Sequence, residues 1–164
     1  MRKIILLFFL TSISIFTSCS SDDDDSMLDI KNEIVYEDSI IIVNQMGIEN
    51  IDSEPGYSNY FFYLGGMLDE EIIGFNIELK LPIIDDNSNF RPGTFSYSPI
   101  TDLNSPSFHY NFAELRIGND PIRVNGGNII VSKSGTIFTF NGTLTLENGK
   151  DFTINYSGDL GMTD

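Results

Sequence analysis

The chain has no tryptophan, one cysteine and one histidine. Each shortage closes off some chemistry. A single cysteine makes no internal disulfide, and with a single histidine it cannot complete a structural zinc site. Basic residues are also scarce, with nine Lys and Arg against 24 Asp and Glu for a net charge of −15. A surface of that sign repels phosphate backbones, so nucleic acid is excluded as a partner. No phosphate loop, dinucleotide fingerprint or G-x-S-x-G elbow occurs. The adjacent carboxylates Glu70–Glu71 and Asp85–Asp86 lie in turn-like stretches rather than facing each other across a cleft. The expectation is a non-enzymatic chain with no cofactor and no metal site.

What is present begins at the N-terminus. Arg2 and Lys3 precede an apolar stretch, Ile4 to Phe16. That length suits the h-region of a signal peptide and is short of the roughly 20 residues of a spanning helix. Small residues, Thr17 and Ser18, then lead to the lone cysteine, Cys19. Next comes Ser20, Ser21, Asp22, Asp23, Asp24 and Asp25, a block that cannot bury itself and reads as a solvated tether. Consecutive aspartates on an extended chain point opposite ways, which makes them a poor calcium site.

The stretch "FTSC" resembles a bacterial lipobox, with Phe16 where many lipoboxes have Leu. The resemblance implies that residues 1–18 are removed and that Cys19 carries the acyl chains. Two or more such chains anchor a protein firmly without a spanning helix. The acidic run after the cysteine resembles that of Bacteroidota lipoproteins, where it marks export to the outer face of the outer membrane. This implies an outer-membrane, lipid-anchored protein that faces the cell exterior. "DSM" and "DSI" resemble the short O-glycosylation motif of the same group, centred on Ser26 and Ser39. Cleavage before Cys19 would leave seven basic residues against 24 acidic ones, a charge of −17.

Residues 19–32 are read as lipidated cysteine and tether, and 33–164 as one domain. Its pattern is all-β. Phe75, Ile77, Leu79 and Leu81 alternate with Asn76, Glu78 and Lys80, and Pro82 ends the strand. Near the C-terminus, strands at about 127–132, 136–146 and 151–158 are separated by Ser134–Gly135 and Asn148–Gly149. Phe138, Phe140, Leu144 and Leu146 share one parity, as do Phe152, Ile154 and Tyr156, so both sets are expected to cover a common core.

Other segments are less regular. Glu33 to Asn44 is Ile- and Val-rich with a polar break at 37–39. "DDNSNFRPGTFSYS" reads as a loop, and "NDP" and "NGGN" read as turns. The glycines as a whole read as turn glycines. Phe108, Tyr110 and Phe112 share a side before the apolar phase slips to Leu115 and Ile117, which predicts a β-bulge near Ala113. The same segment, 110–117, is also compatible with a short helix. About eight short strands predict a single antiparallel β-sandwich or small β-barrel. The last forty residues resemble small uncharacterised Bacteroidota lipoproteins in general style, which implies no particular activity.

Few residues stand out as sites. His109 has the parity opposite to Phe108 and Tyr110 and is expected on the outer face. Asp85, Asn87 and Asn89 have the alternate spacing of a calcium loop, but Phe90 and Ser96 occupy the places of its glycine and bidentate glutamate. The sequons at Asn141 and Asn155 lie in expected strands and are assigned no glycan. The candidate binding face is the aromatic run Tyr60, Phe61, Phe62 and Tyr63. Only one side of that strand can face a simple core, so the other needs a cover, a partner or a ligand. The expected function is to bind a glycan, peptide or protein at the cell surface. A structural role in an outer-membrane uptake or assembly complex is the alternative, and a hydrolase is the least favoured class.

Overall fold

The computed structural model describes residues 31–51, 54–85 and 89–159. Cys19, the acidic run, Ser26 and Asn87 lie outside those residues. Among the described residues, nine strands form a closed barrel: β1 (Glu33–Tyr36), β2 (Ser39–Ile51), β3 (Tyr57–Leu68), β4 (Glu71–Pro82), β5 (Gly93–Tyr97), β6 (His109–Ile117), β7 (Asp120–Ser134), β8 (Ile137–Leu146) and β9 (Asp151–Asp159). Around the wall the order is β1-β2-β3-β4-β6-β5-β7-β8-β9, and β9 pairs with β1 to close it. The closing strand β1 is short and pairs only with Ser39–Ile42 of β2 and with Phe152–Asn155 of β9.

The all-β expectation holds, and of its two forms the barrel is the one adopted. The 85–98 segment, whose composition predicts a loop, contains β5, which pairs antiparallel with β7 and parallel with the start of β6. The sheet is therefore mixed, not purely antiparallel. The polar break at 37–39 is a hairpin turn, with positive φ at Glu37 and Asp38. Asp69 and Glu70 repeat that geometry between β3 and β4, again without glycine. The 110–117 segment is strand throughout.

Three bulges bend the wall, and each places an asparagine opposite no partner: Asn44 in β2, Asn111 in β6 and Asn125 in β7. The phase slip predicted near Ala113 is therefore at Asn111, and it turns Phe112 outward while Tyr110, Ala113 and Leu115 face the core. "NGGN" is not a turn but the bulged middle of β7, where the buried Tyr110 hydroxyl donates to the carbonyls of Gly126 and Gly127. Burial, with Tyr97 beside it, holds that phenol well above its usual pKa, so it stays a donor. The glycines are mostly not turn glycines either. Gly47, Gly65, Gly66, Gly74, Gly126, Gly127, Gly142 and Gly158 all lie within strands.

The interior is apolar and full. Phe75, Ile77, Leu79 and Leu81 of β4 point inward, as do the same-parity sets of β8 and β9. Phe62 meets Phe138 and Phe140 at centroid distances of 5.3 and 5.1 Å. Phe90, in the β4–β5 connection, inserts among Tyr60, Phe62, Phe95 and Phe138. Apolar residues inside and mostly polar ones outside are the reverse of a membrane-spanning barrel, whose apolar band faces outward.

Candidate binding trough on the outer face

The interior of the described barrel is lined by a buried apolar cluster, and two hollows lie on its outer wall. The aromatic run divides by strand parity. Tyr60 and Phe62 point into the core, while Phe61 and Tyr63 stand outside and are half-buried. Phe61 lies against Phe112 at 6.2 Å, and the Arg123 guanidinium sits 4.8 Å from the Phe112 centroid. That group covers itself.

Tyr63 behaves differently. It pairs with Gly47 across the β2–β3 ladder, and a Cβ on Gly47 would fall 2.2 Å from Tyr63 Cε1. The ring is thus laid flat across the glycine, as aromatic residues do over glycines in sheets. One step along β3, Gly65 pairs with Gly74 of β4. This glycine pair has Gln45 on one flank and Arg116 on the other, since Gln45 pairs with Gly65 and Arg116 with Gly74. Beyond it stands an exposed apolar row in which Met67 pairs with both Ile42 and Ile72.

A row of small residues between two rows of larger ones is a trough. Two adjoining hollows of about 410 and 260 Å³ occupy it, and Ile72 and Gly74 line both. Tyr63, Asn44 and Gln45 border one hollow; Arg116, Glu70 and Asn119 border the other. Tyr63 is the one residue of the predicted aromatic face that reaches this place. Gly65, Gly74, Gln45 and Arg116 carried no sequence signal strong enough to single them out, because glycine in a strand becomes informative only when its cross-strand neighbour is known.

Behind the trough, Glu114 fixes the polar flank. Its Oε1 accepts from Arg116 Nε at 2.6 Å and from Asn76 Nδ2 at 3.0 Å. Burial raises the Glu114 carboxyl, but these hydrogen bonds and the charges of Arg116 and Arg123 outweigh it, so its pKa is lowered from 4.5. A lowered folded-state pKa stabilises the fold above the unfolded value, and that contribution is lost as pH falls through the folded one. Glu114→Gln should therefore flatten the acid limb: between neutral pH and pH values below 4.5, the urea midpoint should fall less in the variant than in wild type. Equal slopes would show that Glu114 contributes nothing to acid sensitivity.

His109 corrects an expectation. Its outward parity is right, but it is buried rather than on the surface, because the 98–108 connection folds over this part of the wall. Its Nδ1 donates to the Ser107 carbonyl at 2.9 Å, leaving Nε2 to face the Thr101 hydroxyl at 3.5 Å. The ring meets Tyr57 edge-on at 5.1 Å, and the Tyr57 hydroxyl donates to the Asp102 carbonyl at 3.0 Å. Lys80, the outward neighbour of His109 in the ladder, is likewise covered and paired with Glu54 and Glu78. His109 is engaged in holding that connection, whereas Lys80 ties β4 to the β2–β3 connection through Glu54.

The remaining candidates are dispersed. Ser39 is half-buried at the start of β2, and Asn141 and Asn155 are cross-strand partners on the outer wall. Glu70 is in the β3–β4 turn and Glu71 begins β4. Among the described residues no group of three or more His, Cys, Asp or Glu side chains is placed to hold a metal ion. Comparison with protein-family models, with curated proteins and with solved structures finds no match for the chain.

Proposed function

We propose that the protein is a surface-exposed lipoprotein, anchored in the outer membrane through acylated Cys19, whose barrel binds a ligand without catalysing a reaction. The observation that carries the binding half is the division of the barrel: an interior filled with apolar side chains, and an open trough with mixed apolar and polar banks on its outer wall. The lipobox-like "FTSC" and the aspartate run support the location. A non-enzymatic role is supported by the employment of the described titratable groups. His109 holds the 98–108 connection, Lys80 is paired with Glu54 and Glu78, and Glu114 braces Arg116.

Cys19→Ala should move the protein from the membrane to the released fraction. An unchanged membrane fraction would refute the anchor, since two acyl chains are what stable attachment requires. Replacing Asp22, Asp23, Asp24 and Asp25 with alanine should keep the anchor but remove accessibility to protease added outside intact cells. Undiminished external cleavage would refute the address.

A second reading, an accessory subunit of an outer-membrane uptake or assembly complex, draws on the exposed row Ile42, Met67 and Ile72. Crosslinking on intact cells separates the two. A stoichiometric membrane-protein partner supports the accessory role, and its absence supports the free ligand-binding one.

A further inference from the structure

Resting on the ligand-binding reading, we infer that the Gly65–Gly74 trough is a binding site for an uncharged carbohydrate, with Tyr63 as its stacking platform.

The first argument is what packing does not require. Gly66 and Gly142 admit no Cβ, because one would fall 2.1 and 2.4 Å from backbone oxygens. Gly56, Gly118, Gly135 and Gly149 have positive φ. Gly65 and Gly74 have neither reason. A Cβ on Gly65 would meet nothing closer than 3.8 Å, and one on Gly74 nothing closer than 3.9 Å. Glycine inside a strand is less stable than alanine and often marks a bulge, a bend or a close approach to the backbone; Gly65 faces the Asn44 bulge, whereas Gly74 has no bulge beside it and points to close approach. Here two such glycines are directly paired, so the open floor spans two strands.

The second argument is shape. Outward positions 63 and 67 on β3 are about 13 Å apart, and their side chains narrow that gap below the 10–12 Å diameter of a helix. The floor strands β3 and β4 are each paired on both sides, so an extended peptide cannot join the sheet within the trough. A flat ring fits both limits.

The third argument is chemistry. A pyranose has a CH face and a rim of hydroxyls. Tyr63 offers a half-buried aromatic ring over Gly47 at the border of the hollow, suited to the CH face. Planar amides and a guanidinium suit vicinal hydroxyls, because each presents paired donors or acceptors. Asn44, Gln45 and Asn119 supply the amides at the two ends, and Arg116 the guanidinium. Arg116 is already neutralised through Nε by Glu114, so an anion gains little there. An acidic surface also disfavours polyanions, which leaves a neutral sugar as the occupant.

The test uses the acylated full chain in detergent micelles, labelled with ¹⁵N and titrated with uncharged gluco-, manno- and xylo-hexaose to about 10 mM. At least one should shift the Gly65 and Gly74 amides saturably. Gly74→Thr fills the floor and adds a β-branched residue to a strand, so it should raise Tm while weakening that binding at least tenfold. If Gly74→Thr fails to fold, Tyr63→Leu still covers Gly47 but removes the flat ring, and the same tenfold loss is expected.

The inference is overturned if no hexaose shifts these amides, if the shifts map elsewhere, or if a folded Gly74→Thr binds as wild type does. It is also overturned if the same amides shift with protein concentration alone, which would seat a second copy in the trough. None of these results changes the fractionation and protease outcomes, so the surface-lipoprotein reading stands or falls separately.

Discussion

Phe62→Ala is expected to destabilise the barrel by about 3–5 kcal/mol, toward the upper end of that range. Phe62 has no exposure and is ringed by Phe90, Phe138 and Phe140, with centroids 5.1–5.8 Å away. The cost of a cavity depends on how far its walls relax. Two of these walls relax little, since Phe138 and Phe140 belong to β8, which is hydrogen-bonded on both sides by β7 and β9. Urea unfolding measures the loss. Phe61→Ala, one residue away on the outer face, is the control and should cost about 1 kcal/mol, because it loses the stacking contact with Phe112 without opening a void. A Phe62→Ala loss no larger than that of Phe61→Ala would mean that Phe90 moves in to fill the space.

This contrast between neighbours was largely legible in the sequence. Period-two alternation identifies β4, β8 and β9 and gives the inward parity of their side chains correctly, because each strand has one face on the core and one outside. The same rule fails wherever the ladder gains a residue. Asn111 shifts the phase within β6, so Phe112, grouped by spacing with Tyr110, ends up outside against Phe61. β5 is not legible because Gly93–Tyr97 is five residues long, opens on the glycine of a Pro-Gly pair and is half polar. Its strand conformation comes from the two neighbours it bridges, not from local preference.

The candidate site was legible in one residue only. Tyr63 stands out as an aromatic with outward parity, but its role depends on Gly47 beneath it and on the Gly65–Gly74 pair beside it. Those neighbours come from β2 and β4, and register is not written in any one strand. His109 shows the opposite limit. Parity places it outside, and only the path of the 98–108 connection decides that outside is buried there. The N-terminal proposal rests on local residue types alone, because a signal of the kind proposed needs no fold to be read.

Gly66→Ala is the second large effect, and its neighbour sets the scale. Gly66 pairs with Val43 beside the Asn44 bulge, where the ladder steps to pair Gln45 with Gly65. At this step a Cβ on Gly66 would fall 2.1 Å from the Ile42 carbonyl oxygen and 3.0 Å from its carbonyl carbon. A flexible side chain could yield to that methyl group, but a backbone carbonyl beside a bulge cannot move without disturbing β2. Overpacking of this kind costs about 3 kcal/mol, or more where the backbone must shift. Gly65→Ala adds the same methyl one residue earlier, where its nearest neighbours, Gln45 and Tyr63, lie at ordinary contact distances of 3.8–3.9 Å, and should instead stabilise by about 0.5–1 kcal/mol. Two consecutive glycines should thus give opposite signs when their urea midpoints are measured side by side. If both alanine variants moved in the same direction, the bulge would not be where the register places it.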